Sequence, residues 1–187
     1  MTTAQNCLIL IDWQLGFRDL EYWGPRNNPQ AEKNATRLLQ HWRANGWPVM
    51  HVAHASTQEN SVLRPGHPGH EFEDFACPRD GEPVYMKSVN SAFIGTSLEH
   101  DLRARNLLDL VFCGVSSDHC VSTTVRMAGN LGFRPTLVAD ACYAFERITP
   151  DGRAISAEAV HDAHIASLNG EFAQIATTDQ ILSSVPH

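Results

Sequence analysis

The chain has 187 residues, with 14 Lys and Arg against 21 Asp and Glu, a net charge of −7 and a pI near 5.7. At 43% hydrophobic and 19% charged it holds enough apolar material for one core, which excludes a disordered or collagen-like chain. No basic run marks a nucleic-acid binder, and the apolar run Cys7–Ile11 falls far short of the ~20 residues that span a bilayer.

At about 150 residues per domain, the length points to a single domain over 1–187. Residues 1–6 carry no Lys or Arg, so a secretory leader is not expected and the cytoplasm is the expected location. Five cysteines are present: Cys7, Cys77, Cys113, Cys120 and Cys142. Their number is odd, their spacings are wide and no Cys-x-x-Cys pair occurs, which argues against a disulfide framework or a four-thiolate zinc site. Cys7, Cys113 and Cys142 sit in or beside apolar runs and read as small buried hydrophobes.

In chain order, Cys7–Ile11 is a continuous apolar run, as in a strand buried on both faces. Asn28 and Pro29 open a helix with apolar positions at Ala35, Leu38, Leu39 and Trp42, and Gly46 closes it. Strands are predicted over 48–53 and 83–86, a helix over 97–105, and a strand over 107–115. A helix follows over 123–131, stopped by Gly132, then a strand over 135–139. A helix over 156–168, a short strand over 172–176 and a helical turn over 178–182 complete the chain. This alternation implies a mostly parallel, Rossmann-like sheet between helices, a three-layer α/β/α sandwich. One irregular stretch, 55–82, contains Pro65, Gly66, Pro68, Gly69, Pro78 and Gly81. A connection of that length reads as a lid or substrate loop, with Leu63, Phe72 and Phe75 available to anchor it.

Ligands of open parallel α/β sheets bind beyond the carboxyl ends of the strands. Three reactive side chains converge there. Asp12 follows the first strand, Lys87 the third, and Cys120 lies just beyond the fourth, where a helix begins. Taken singly, Asp12 could cap the next turn, Lys87 could be solvated and Cys120 could be a buried thiol. Together they form a coherent set. The positive end of a helix and an ammonium both favour a thiolate, and a carboxylate can carry the thiol proton.

Segment 114–120 (Gly-Val-Ser-Ser-Asp-His-Cys) resembles the nucleophile turn of the isochorismatase-like cysteine hydrolases. The stretch 10–14 with Phe17 resembles that family's aspartate motif, and Lys87 with 90–96 its lysine motif. Residues 123–128, Gly132, Phe133, Asp140, Ala141 and the stretch 161–172 fit as well, so the similarity runs along nearly the whole chain in order.

The resemblance implies an isochorismatase-like hydrolase fold and a triad of Asp12, Lys87 and Cys120 that cleaves an amide-type C–N bond. It also implies an oxyanion hole from the N–H groups of Ser116 and Cys120, a cis bond between Val115 and Ser116, and assembly as a dimer or tetramer. Where the family often has Thr, this chain has Ser117, which keeps the hydroxyl. Phe17, His54, Asn90, Ser117 and Phe145 are the candidate substrate-binding residues.

His51, His54, His67 and His70 cluster in sequence, and nicotinamidases of this superfamily bind metal through an Asp-x-His pair with a further His. Val49 precedes His51 by two residues and Val52 precedes His54 by two, so that pattern is missing. No metal and no cofactor are expected. His54 is expected to line the pocket, and His67 and His70 to belong to the lid. The expected activity is hydrolysis of a small amide, carbamoyl or ureide through a thioester, with a small molecule as partner. Isochorismate-type vinyl-ether hydrolysis is the rival chemistry, but the family members concerned dispense with the cysteine. A catalytically idle binding or assembly module on the same fold is the rival outside enzymology.

Overall fold

The computed structural model describes residues 6–184. The expectation drawn from residues 1–6 therefore concerns a stretch of which only Asn6 is described. Six strands form one sheet in the order β3-β2-β1-β4-β5-β8, every pairing parallel. They are β1 (Cys7–Ile11), β2 (Val49–His54), β3 (Val84–Lys87), β4 (Asp109–Val115), β5 (Arg134–Tyr143) and β8 (Gln174–Ala176). A two-stranded antiparallel ribbon, β6 (Arg147–Ile148) with β7 (Ala154–Ile155), stands apart from it.

All five residues of β1 are buried, as its unbroken apolar run requires of a strand covered on both faces. The helices are α1 (Leu20–Trp23), α2 (Ala31–Ala44), α3 (Leu98–Ala104), α4 (Ser122–Asn130), α5 (Ala157–Leu168) and α6 (Thr178–Ser184). The chain steps one way from β1 to β2 and the other way from β4 to β5 to β8. Right-handed crossovers then place α2 on one face and α4 and α5 on the other. Helix α2 buries Ala35, Leu38, Leu39 and Trp42, as their spacing predicts, and Trp42 Nε1 donates to the Asn6 carbonyl at 2.8 Å. Helix α6 packs beside α2.

The predicted elements appear in order, with two shifts of physical interest. Asn28 does not cap α2. Its Oδ1 accepts from the Gln30 N–H while its Nδ2 donates to the Asp140 and Cys142 carbonyls, and the helix starts at Ala31. Strand β5 runs on to Tyr143, well past the predicted 139. Asp140 would end a strand by propensity, yet its Oδ1 accepts from both the N–H and the hydroxyl of Thr178 at the start of α6. The β4–β5 register shifts between Phe112 and Gly114, which allows pairing to resume at Cys142 and Tyr143. Gly114 is required there: it has φ +152, and a Cβ would lie 2.2 Å from the Ile11 carbonyl oxygen.

The 55–82 connection is tied down over much of its length. Two 3₁₀ turns, Pro68–His70 and Asp74–Ala76, punctuate it. Phe72 bridges Gln14 in antiparallel fashion, Leu15 N–H donates to the Glu71 carbonyl, and Glu73 N–H donates to the Trp13 carbonyl. Leu63 is buried, the Phe75 ring meets Trp13 edge-on at 5.2 Å, and Arg18 pairs with Glu73. Gly69 allows a close approach, since a Cβ there would lie 2.5 Å from the Val62 carbonyl oxygen and 2.7 Å from the Gly16 Cα.

At the far end of this connection, Glu82 receives a two-pronged bond from Arg43, at 2.7 Å from both Nε and Nη2, and faces His51 Nε2 at 2.8 Å. Burial opposes its charge, but Arg43, the Arg79 N–H and His51 hold its pKa down at about 2, below the usual ~4.3. A lowered carboxylate contributes stability above its ordinary pKa and loses it as pH falls through the folded value. Glu82→Gln is therefore expected to cost about 2–3 kcal/mol at pH 7, by breaking a mostly buried pair. Urea melts at pH 7, 4 and 2.5 should show the gap to wild type closing between about pH 4 and 2. A gap that stays constant with pH would remove the charge from this explanation.

Candidate active site

The sheet order reverses at β1/β4, and this switch point is where open α/β sheets bind ligands. Asp12 leaves the carboxyl end of β1 with φ +53, which turns its side chain out of the strand run. Lys87 is the last residue of β3 and His54 the last of β2, in register with each other. Beyond β4 the Val115–Ser116 bond is cis, and a π-helical turn, Ser117–Val121, runs straight into α4 with Cys120 in it. The Ser116 carbonyl accepts from the N–H groups of His119 and Val121, which closes the turn.

Four consecutive strand ends thus deliver four side chains to one place. Lys87 Nζ lies 2.7 Å from Asp12 Oδ2, 3.0 Å from His54 Nδ1 and 3.2 Å from Cys120 Sγ. Three N–H bonds of one ammonium meet three acceptors. Asp12 and Lys87 have essentially no exposed surface, and Cys120 keeps 7%. Among the described residues no hydrogen bond of standard geometry reaches the buried Asp12 Oδ1, and the Asp12 carboxylate faces the thiol as an acceptor.

Charge at the centre follows from this packing. Burial works against the Lys87 ammonium, but Asp12, with Cys120 Sγ as a further hydrogen-bond acceptor, outweighs it and holds its pKa above the ordinary value. Burial, joined by the Asp12 charge, pushes the Cys120 thiol well above its usual range against the pull of Lys87. This corrects the expectation of a stabilised thiolate. The ammonium does act on Cys120, but desolvation, joined by the Asp12 charge, prevails. The resting centre is a neutral thiol between an ammonium and a carboxylate. Burial first and Lys87 second hold His54 below its ordinary pKa, so it stays neutral near pH 7 and presents Nδ1 as an acceptor.

The other candidates divide. Asn90 is exposed, with Oδ1 3.8 Å from Cys120 Sγ. Phe17 stacks on Trp23 at 4.9 Å, and Phe145 stacks on Trp23 at 5.5 Å with no exposed surface of its own. In this structure Phe145 is the buried backing of an aromatic cluster. The Ser117 hydroxyl is also fully buried and faces His161 Nδ1 on α5 at 2.7 Å. Burial keeps His161 below its ordinary pKa, and its hydrogen bond with the Ser117 hydroxyl braces the turn against α5.

Of the remaining histidines, buried His51 is taken by Glu82 and has no part in the cluster. His67 and His70 lie at the first 3₁₀ turn of the 55–82 connection, and the His70 carbonyl accepts from Gln14 Nε2 at 2.8 Å.

Two supporting residues were not singled out from the sequence. The Gln14 amide accepts from the His54 N–H and donates to the His54 and His70 carbonyls, so one side chain joins the end of β1, β2 and the 55–82 connection. Its place at the end of the 10–14 motif, two residues after Asp12, was the available signal. Asp118 accepts from the Ser116 hydroxyl at 2.7 Å and from Arg147 Nε at 2.6 Å, which ties the turn to β6.

The family model of the isochorismatase domain matches residues 6–180. The isochorismatase family protein YrdC of Bacillus subtilis is 40% identical over 179 residues, covering 96% of this chain and 95% of the relative. A hydrolase of the isochorismatase family from Chromobacterium violaceum superposes with a TM-score of 0.93 at 47% identity, covering 98% and 95% of the two chains. N-carbamoylsarcosine amidase from Thermoplasma acidophilum superposes with a TM-score of 0.69 at 25% identity, covering 94% and 97%. With the six-stranded parallel sheet, the flanking helices and a match over nearly its whole length, this chain belongs to the isochorismatase family of hydrolases.

Proposed function

We propose that the enzyme hydrolyses the C–N bond of a small amide, carbamoyl or ureide through a thioester on Cys120. The observation that carries this reading is the single ammonium of Lys87, held between Asp12 Oδ2 and Cys120 Sγ with the Asp12 carboxylate facing the thiol. The similarity to an amidase supports the bond type.

Asp12 takes the thiol proton as Sγ attacks the carbonyl carbon, so thiolate character develops only when substrate is present. Lys87 stays charged throughout and offsets the negative charge passing between its neighbours. The N–H groups of Ser116 and Cys120 receive the oxyanion, where preorganised donors are worth several kcal/mol. The C–N bond breaks and the amine leaves with the proton held by Asp12. Water then attacks the thioester, gives its proton to Asp12, and that proton returns to Sγ. Asn90 borders the thiol, and His54 holds Lys87 in line.

The test is an ammonia- and amine-release screen over small amides, carbamates and ureides, with wild type run beside Cys120→Ala and after exhaustive chelation. Release by wild type at full rate after chelation, and none by Cys120→Ala, is the expected result. Release that survives in Cys120→Ala, or none from any member of the panel, overturns the reading and returns attention to vinyl-ether substrates or a non-catalytic role.

A further inference from the structure

We propose that Asp12, His54 and Cys120 form an inhibitory site for a soft divalent cation, zinc(II) being the probe, whose place is held in the resting enzyme by the Lys87 ammonium. Oxygen, imidazole nitrogen and sulfur are the three donor types that zinc combines, and three protein ligands with a fourth position open to water is the arrangement of catalytic zinc. Here one atom of each type lies within 4.8 Å of the others.

The ammonium already occupies the point that all three face, at 2.7, 3.0 and 3.2 Å. Zinc bonds of about 2.0–2.3 Å need each ligand to move in by less than about 1 Å. That lies within the reach of side-chain rotation about fixed strand ends.

A second observation points the same way. Asp12 Oδ1 is buried and, among the described residues, makes no hydrogen bond of standard geometry, so the carboxylate has an oxygen to offer a cation of higher charge. His54 presents Nδ1 as a lone pair to Lys87, the state a metal requires. Its backbone is fixed by Gln14, so the ring is already oriented.

Occupation balances as follows. Zinc binds the carboxylate, the neutral imidazole and the thiolate; the thiol proton goes to solvent, and the ammonium swings out. Zinc and ammonium therefore compete for one position, and the metal blocks the nucleophile. This site uses no Asp-x-His pair, since the residue two before His54 is Val52. It does not depend on which bond the enzyme cleaves.

The experiment measures metal binding and can be read without a substrate. Wild type, Lys87→Met, Lys87→Met/His54→Ala and Lys87→Met/Cys120→Ser, all carrying Cys77→Ala to remove the exposed thiol, are titrated with zinc(II) and cobalt(II). Methionine keeps the buried volume of lysine, and circular dichroism checks each fold. Lys87→Met is expected to bind one zinc per chain at least 100-fold more tightly than wild type. Its cobalt form should show tetrahedral d–d bands and a sulfur-to-cobalt charge-transfer band, and both double variants should lose that spectrum.

Should Lys87→Met fail to fold, wild type decides. Zinc should raise its thermal midpoint reversibly to chelation, and Cys120→Ser and His54→Ala should each lose the shift. Lys87→Met binding no tighter than wild type overturns the proposal. So does a cobalt spectrum indifferent to His54, which would mean a lone thiol. If no amide substrate is found yet zinc binds as described, only the amidase reading fails.

Discussion

Cys120→Ser is expected to lower kcat by at least about 10⁴-fold, the scale on which removing a nucleophile collapses catalysis. The thiol is already hard to ionise where it sits, because burial and Asp12 both oppose the charge. An alcohol at the same point starts several pKa units higher and has the same single base to help it. The replacement is nearly isosteric, so packing around the 117–121 turn should persist and the loss should fall on kcat. Rapid quench with mass spectrometry gives a second readout. Wild type should accumulate an adduct equal to the acyl fragment on the 120-containing peptide, and the variant should not. Near-normal turnover by Cys120→Ser on any good substrate would end the thiol mechanism. Cys7, Cys113 and Cys142 have no exposed surface and should carry no adduct.

Replacing Lys87 should rank second in effect. Lys87→Ala leaves the Asp12 carboxylate buried and unpaired, which costs about 3–5 kcal/mol of stability. Without the ammonium the thiol is harder still to ionise, so the acidic limb of the kcat/KM profile should move to higher pH. At its plateau kcat/KM should fall by roughly 10²–10³-fold, the usual cost of removing one preorganised charge stabiliser. Lys87→Arg should rescue poorly. Three acceptors surround one nitrogen here, and a planar guanidinium cannot present three N–H groups to them from a single atom. The measurement is kcat/KM against pH for wild type, Lys87→Ala and Lys87→Arg, with thermal melts to confirm folding. Three superimposable profiles would leave Lys87 without a chemical role.

By itself the sequence was sufficient for whatever depends on pattern along the chain. The unbroken apolar run of β1, the three- and four-residue spacing on α2 and the glycine stops each report one element through its own side-chain period. Alternation of strands and helices then permits few topologies, because crossovers in a parallel sheet are right-handed. Residues just past strand ends must share an edge, which is why Asp12, Lys87 and Cys120 could be grouped before any coordinates.

What only the tertiary structure decided are the things that depend on distance and solvent. Asp12, His54 and Cys120 are far apart in sequence and meet on one ammonium only because β3, β2, β1 and β4 lie side by side in the sheet. The protonation state of the thiol could not be read from a motif, since it is a balance of burial against two opposite charges within hydrogen-bond reach. Asn28, Ser117 and Phe145 were assigned by local sequence to a cap or to a pocket. Packing gave them to β5, to His161 and to an aromatic stack, because buried polar groups take the nearest partner and large rings take the driest space.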